Sequence, residues 1–485
     1  MLGFTNKKGI RVKDLFFGRE RELKILQRML TKRVASLVVI KGRRRIGKSR
    51  LAEEFGKSLK TYTFIGLPPE KHVTAQDQRK EFARQMKEQL NVPGLGSDDW
   101  GDLFWHLSRE TQEGRVIIIF DEINWMGDED PTFLGKLKTA WDKNFKKNSE
   151  LILILSGSMS KWIEENILSS TGFLGRVSID MNLEELPLYV CNKFWYPREN
   201  KVSSYEKFKI LSVTGGVPRY LEEIRPEWPA EENINVLCFE KEAFLFKEFK
   251  KIFSDLFSGR SESYLKIVNR LVDGNASLED VSEALGMKKG GTVSDYLNDL
   301  VTTGYVSRDF TWNLKSGKPS TLSHYRLKDN YLRFFLKVIE PNSHKILQDE
   351  TVKPTGWDTI MGLQFENLVL NNRKSLKKNL NISGENVIFD NPYFQKKTKS
   401  HQGCQIDYMI QTKYNSLYIC EIKFSKEKVG MEVIDQMQEK IKRLGCPKGY
   451  SIWPVLIHVN GVTEGVEQSG FFSKIIDFGD FLKAE

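Results

Sequence analysis

Three stretches of the chain are apolar almost without interruption: residues 36–40 (SLVVI), 116–120 (VIIIF) and 151–155 (LILIL). A strand with no polar face is buried on both sides, as in a parallel sheet covered by two helix layers. Between these runs, apolar residues recur at helical spacing, so residues 1–188 are predicted to form an α/β core around a parallel sheet. Helical spacing continues over 189–257, broken by "TGGVPRYL" at 214–221, whose glycines and proline mark a junction inside a helical lid. From 258 to 330 the order is helix ("ASLEDVSEALGM"), turn, helix ("GTVSDYLNDLVTTGYV") and two strands around "LKSGKPS", the order of a winged helix. Residues 331–353 are expected as a linker. In the last part, 354–485, "GLQFENLVL" predicts an amphipathic helix, while "QIDYMI" and "LYICEIKF" alternate as strands joined by the turn "KYNS".

A chain of 485 residues is too long for one core. No apolar run approaches the roughly 18–20 residues that span a bilayer, and "MLGFTNKKGIRVKDL" lacks the apolar centre of a signal peptide. The expectation is a cytoplasmic protein without a membrane partner. Five widely spaced cysteines suggest reduced thiols rather than a disulfide framework or zinc site, and six scattered histidines offer no metal-ligand cluster. The net charge of +10 favours a polyanionic partner, nucleic acid and most simply DNA.

Chemistry enters directly after the first apolar run. The segment from Gly42 to Ser49 has the form G-x-x-x-x-G-K-[ST], with Arg43, Arg44, Arg45 and Ile46 between the glycines, then Gly47, Lys48, Ser49 and Arg50. Glycines let backbone N–H groups curl around an anion, and the following helix, expected over 48–58, presents its positive end to the same phosphates. Lys48 is placed for the β- and γ-phosphates of ATP and Ser49 for Mg²⁺. The arginines are open to two readings, solvated or in contact with phosphate or a neighbouring subunit. The second apolar run ends in Asp121, expected to hold Mg²⁺ through water, and Glu122, expected to deprotonate the attacking water. The third ends in Ser156, Gly157 and Ser158, a polar γ-phosphate sensor or an ordinary turn. Arg176 follows a glycine where an arginine can reach a γ-phosphate in cis or across a homo-oligomer, or simply cap a helix.

Winged helices commonly read DNA with their second helix. Lys288 and Lys289 at its entrance favour that use, whereas Asp295 and Asp299, expected on its exposed face, oppose it. The C-terminal strands carry a second constellation. Asp407 lies on one strand and Glu421 and Lys423 on its neighbour, with Glu366 on the preceding helix. Carboxylates that hold Mg²⁺ beside a lysine suit phosphodiester hydrolysis, whereas a salt-bridged strand pair would serve structure alone. Lys396, Lys397 and Lys399 nearby favour the first.

Taken together, "FFGRERELKIL", "GRRRIGKS", "IIIFDEI", "GSMSKWIEE", "LGRVSIDMNLEELPL" and "TGGVPRYL" resemble the ordered boxes of archaeal and bacterial STAND-group ATPases, in the AAA+-like ASCE division. "GLQFENLV", "QIDYMI" and "CEIKFS" resemble the carboxy-terminal domain of those proteins, related to the PD-(D/E)XK nucleases of restriction-endonuclease-like fold. The resemblance implies an ATP-driven or ATP-gated switch and matches Asp407, Glu421 and Lys423 to the nuclease pattern. Gln405 departs from it, standing where a more basic residue often precedes the aspartate. Two functions compete: an ATP-regulated nuclease, and a non-cutting ATP switch that binds nucleic acid or a protein partner.

Overall fold

A computed structural model of the chain describes residues 16–69, 72–91, 96, 98–158, 160–256, 261–352, 356–397 and 402–483. The chain divides into two compact units, Met1–Leu186 and Pro187–Glu485.

In the first unit, β1 (Ser36–Lys41), β2 (Lys60–Ile65), β3 (Val116–Asp121), β4 (Ile152–Gly157) and β5 (Val177–Asn182) form a parallel sheet in the order β2-β3-β4-β1-β5. Every residue of β3 and β4 is buried. Alternation sends Leu37, Val39, Ile118, Phe120, Leu153 and Leu155 into one apolar cluster. Val38, Ile40, Ile117, Ile119, Ile152 and Ile154 enter a second. Both faces are thus covered, and each fully buried aliphatic side chain contributes about 1.5–3 kcal/mol. β4 lies between β1 and β3, with Lys41 beside Gly157 in register. The segments that follow β1, β3 and β4 therefore leave from one carboxyl edge, where open α/β sheets place their ligands.

The second unit begins with helices that include Ser204–Thr214, Pro218–Leu221, Ala230–Cys238 and Phe244–Leu256, with the expected break at Gly215 (φ 59°) before Pro218. Next come helices Ser261–Val272, Leu278–Ala284 and Gly291–Thr302 with β6 (Ala276–Ser277), β7 (Val306–Trp312) and β8 (Pro319–Leu327), an antiparallel sheet ordered β6-β8-β7. On Gly291–Thr302, Asp295 is exposed as expected. Asp299 is not: it is buried, faces Tyr264 on the first helix and accepts its hydroxyl. In the stretch expected as a linker, the described residues 331–352 also depart from expectation. They carry helical turns at Asn330–Phe334, Phe335–Ile339 and Ser343–Leu347, with Tyr331, Leu332, Phe334, Val338 and Ile339 buried. So apolar a stretch packs rather than links. The expected boundaries at 257–258 and 354, and Lys399, lie outside the described residues.

The helix Trp357–Asn371 precedes a mixed sheet of β9 (Val387–Gln395), β10 (Cys404–Thr412), β11 (Ser416–Ile422), β12 (Ser451–His458) and β13 (Lys474–Asp477), ordered β13-β12-β11-β10-β9. β9, β10 and β11 are antiparallel, while β11, β12 and β13 run parallel, with helix Glu432–Arg443 crossing from β11 to β12. The tight turn into β11 uses Asn415 at φ 52°. Pairing of β10 with β9 slips between Ile406 and Met409, a bulge. Cys404 and Ile406 share an apolar cluster with Met409 rather than with residue 408, so the strand changes parity there.

No described helix is long and apolar enough to cross a membrane. All five cysteines are free.

Candidate nucleotide site and C-terminal carboxylate site

The loop from Gly42 to Gly47 is shaped by its glycines. Gly42 has φ 147°, and a Cβ there would meet the Leu183 carbonyl oxygen at 2.7 Å; Gly47 has φ 92°. Arg45 takes the left-handed region at φ 67°, while Ile46 drops fully buried into the core and anchors the loop. Of the arginines, Arg43 is buried and pairs with Glu185 at 2.6 Å, which makes it a brace of the loop. Arg44 and Arg45 are half-buried, and Arg44 is close enough to Lys48 to disfavour its proton. Arg50 is exposed on the helix that follows.

Lys48 opens the helix Lys48–Gly56 and is buried; its Nζ donates to the Gly42 and Arg43 carbonyls at 3.0 and 3.2 Å. Burial lowers its pKa below the usual lysine value, opposed by Glu122 and Asp121. Asp121 ends β3 between two serines. Its Oδ2 accepts Ser49 Oγ–H and its Oδ1 accepts Ser156 Oγ–H, each at 2.6 Å. The position of β4 between β1 and β3 makes that bridge possible. Glu122 sits in the left-handed region (φ 50°), and its Oε2 accepts both the N–H and the hydroxyl of Ser158, at 2.9 and 2.7 Å. A non-glycine residue in this region is uncommon, and such positions recur at functional sites. Arg176 lies elsewhere: its described hydrogen bonds go to Asp142, at 3.0 and 2.8 Å, and to the Leu174 carbonyl.

Two residues of this region were not singled out from the sequence. Arg19, in the "FFGRERE" box, is buried with φ 64° and donates to the carbonyls of Ile46 (3.0 Å) and Glu184 (2.6 Å). Asn124 is fully buried beside Gly157, where a Cβ would come within 2.4 Å of its Oδ1, and both of its amide atoms lack a partner among the described residues. A box of charge ahead of an apolar run was the only signal for Arg19, and none pointed to Asn124.

In the second unit, Tyr408 and Cys420 form the last pair of the β10–β11 ladder, so the next positions outward are Asp407, inside β10, and Glu421, near the end of β11. The bulge turns Asp407 toward helix Glu432–Arg443. Asp407 Oδ2 accepts the Ile422 N–H at 3.0 Å, and its Oδ1 accepts Lys440 Nζ at 3.0 Å. Glu421, buried, accepts Lys440 Nζ on Oε2 at 2.5 Å and pairs through Oε1 with Lys423 Nζ at 2.9 Å. Lys423 also donates to Gln436 Oε1 at 2.8 Å. Burial and Glu421 raise the Asp407 pKa, opposed by Lys440; burial would lower Lys440, but the two carboxylates hold it above the usual lysine range. Glu366, on the preceding helix, feels the same charges: burial and the Asp407 carboxylate push it up to about 7, opposed by Arg326 and Arg333. Among the described residues no group of three or more His, Cys, Asp or Glu side chains could hold a metal ion as it stands. The oxygens of Asp407 and Glu421 nonetheless converge on one cation, an ammonium, and two carboxylates suit a hard divalent ion equally. Gln436 and Lys440, four apart on one helix face, were missed because only the crossover topology brings that helix over the strand ends.

A family model described as an ATPase domain predominantly from Archaea matches residues 16–224. These residues contain a P-loop ATPase domain. The chain is 26% identical over 369 residues to an uncharacterised protein of Methanocaldococcus jannaschii, covering 73% of this chain and 76% of that one. The Walker-type ATPase of Pyrococcus abyssi superposes with a TM-score of 0.51 at 16% identity, over 68% of this chain and 97% of that structure, a likeness of fold. The chain is thus an ATP-hydrolysing enzyme built on a parallel α/β core.

Proposed function

We propose that the protein is an ATP-driven switch coupled to Mg²⁺-dependent cleavage of nucleic acid by its C-terminal part. In the nucleotide site, Ser49 and Asp121 would hold Mg²⁺, which supplies charge neutralisation at the phosphates. The backbone N–H groups of 42–50 orient the phosphates, Lys48 leaves its own loop carbonyls for them, and Glu122 takes the proton of the attacking water once released from Ser158. Arg176 precedes β5 at the amino edge of the sheet, the edge opposite the loop at 42–49, so the reading in cis is not open to it and it would act only in a second copy, after leaving Asp142.

The observation that carries the second activity is the convergence of Asp407 and Glu421 from neighbouring strands, with Lys423 paired to Glu421. These carboxylates, supported by Glu366, would hold Mg²⁺, which supplies an activated water and charge neutralisation. Lys423 is set to meet the scissile phosphate. Exposed Lys288, Lys289, Lys396 and Lys397 and the net charge of +10 support a nucleic-acid partner, with residues 258–330 read as a winged helix and 354–485 as a PD-(D/E)XK-type domain. A second reading, the non-cutting switch, is favoured by the ion pairs that already satisfy Asp407 and Glu421. Labelled single-stranded and duplex DNA and RNA, incubated with Mg²⁺ or Mn²⁺ with and without ATP, separate the two. Cleavage lost in Asp407→Ala and Lys423→Ala supports the nuclease; no cleavage in any nucleotide state leaves the non-cutting switch.

A further inference from the structure

The C-terminal carboxylates are arranged asymmetrically. Each has one oxygen tied to the protein: Asp407 Oδ2 to the Ile422 N–H, and Glu421 Oε1 to Lys423. The remaining oxygens, Asp407 Oδ1 and Glu421 Oε2, both point to Lys440 Nζ, at 3.0 and 2.5 Å. Glu421 is only 3% exposed, and a buried carboxylate without a cation is strongly disfavoured. One face of helix Glu432–Arg443 therefore sets both lysines of the site, Lys440 directly and Lys423 through Gln436.

We propose that Lys440 is a tethered counter-cation, a positioning residue that holds Asp407 and Glu421 in the geometry of a cation seat and yields its place when a divalent metal binds. This rests on the nuclease-type reading of the site. The seat is formed by two oxygens already converged on one positive charge, so the metal finds its ligands in place and has only the ammonium to displace. Metal occupancy then depends on the movement of one side chain, and the site stays folded and neutralised without metal.

Mn²⁺ binding to the full chain without nucleotide, followed by electron paramagnetic resonance and taken as the part that Asp407→Asn abolishes, tests this directly. Lys440→Met should bind Mn²⁺ at least about tenfold more tightly than the parent, the equivalent of about 1.4 kcal/mol. Lys440→Arg, which keeps the charge, should stay near the parent. Mn²⁺ should also raise the melting temperature more in Lys440→Met than in the parent. Lys440→Gln provides the same comparison where the methionine variant does not fold. Unchanged or weaker Mn²⁺ affinity in the neutral variants overturns the counter-cation role, and leaves the nuclease reading standing if nucleic acid is still cut. Absence of Asp407-dependent Mn²⁺ binding in every variant removes both.

Discussion

Arg19 shows how much a single side chain holds in the nucleotide site. Its guanidinium ties the Ile46 carbonyl of the loop to the Glu184 carbonyl, two acceptors far apart in sequence. Arg19→Ala leaves a buried acceptor unsatisfied, at a cost of about 1–3 kcal/mol. The expected outcome is a lower melting temperature and weaker ATP binding, with partial recovery at most in Arg19→Lys, whose shorter side chain has to bring its ammonium to the point between the two carbonyls that Nη2 occupies. Ser158 acts in the opposite sense. It holds Glu122 through hydroxyl and amide, so Ser158→Ala should raise basal ATP turnover while leaving nucleotide affinity close to the parent. A fall in turnover would show that Ser158 senses phosphate instead. Glu122→Gln should bind ATP and lose most hydrolysis, and Lys48→Ala should lose binding, both read by isothermal titration and phosphate release.

At the scale of elements, strand ends set the chemistry. β4 brings Ser156 to Asp121 only because it lies between β1 and β3, and the bulge in β10 turns Asp407 to the helix that carries Lys440. The end of β12 makes a prediction about pH. His458 is buried, accepts the Gly461 N–H on Nδ1, and has its pKa held below the usual 6.5 by burial, opposed by Asp477. The folded state therefore takes up the proton less readily than the unfolded one. Its contribution to stability is present above the ordinary value of about 6.5 and is lost as pH falls through the lower folded value. The urea midpoint should drop between about pH 7.5 and about pH 5, and less steeply in His458→Asn, whose Oδ1 accepts the same N–H without titrating. Equal slopes in the two proteins would assign the pH dependence to other groups.

At the scale of the whole molecule, the two sites belong to separate compact units. Asp407→Ala should therefore leave ATP hydrolysis within a few fold of the parent, whereas Lys48→Ala tests whether cleavage needs nucleotide. The parallel core was legible because apolar runs buried on both faces have no other soluble use, and the loop at 42–49 because phosphate binding demands glycines and a lysine at fixed spacing. The β10–β11 hairpin followed from local pattern alone, whereas the helix Trp357–Asn371, expected as amphipathic over 362–370, has no exposed position there and buries Gln364 and Asn367 with its apolar residues. What local pattern could not supply was partnership. Arg43 turned to Glu185, Arg176 to Asp142 and Asp299 into the core, because an exposed charge and a paired one look alike in sequence. The stretch 331–352 packed because its apolar residues had a core to meet. Lys440 and Gln436 entered the C-terminal site through a crossover and a one-residue bulge. Sequence by itself determined the three doubly buried strands, the C-terminal hairpin, the loop and the chemical types of the site residues, since these depend on neighbours along the chain. Only tertiary structure decided which charges meet, because contacts across sheets and between distant helices depend on register, parity and strand order.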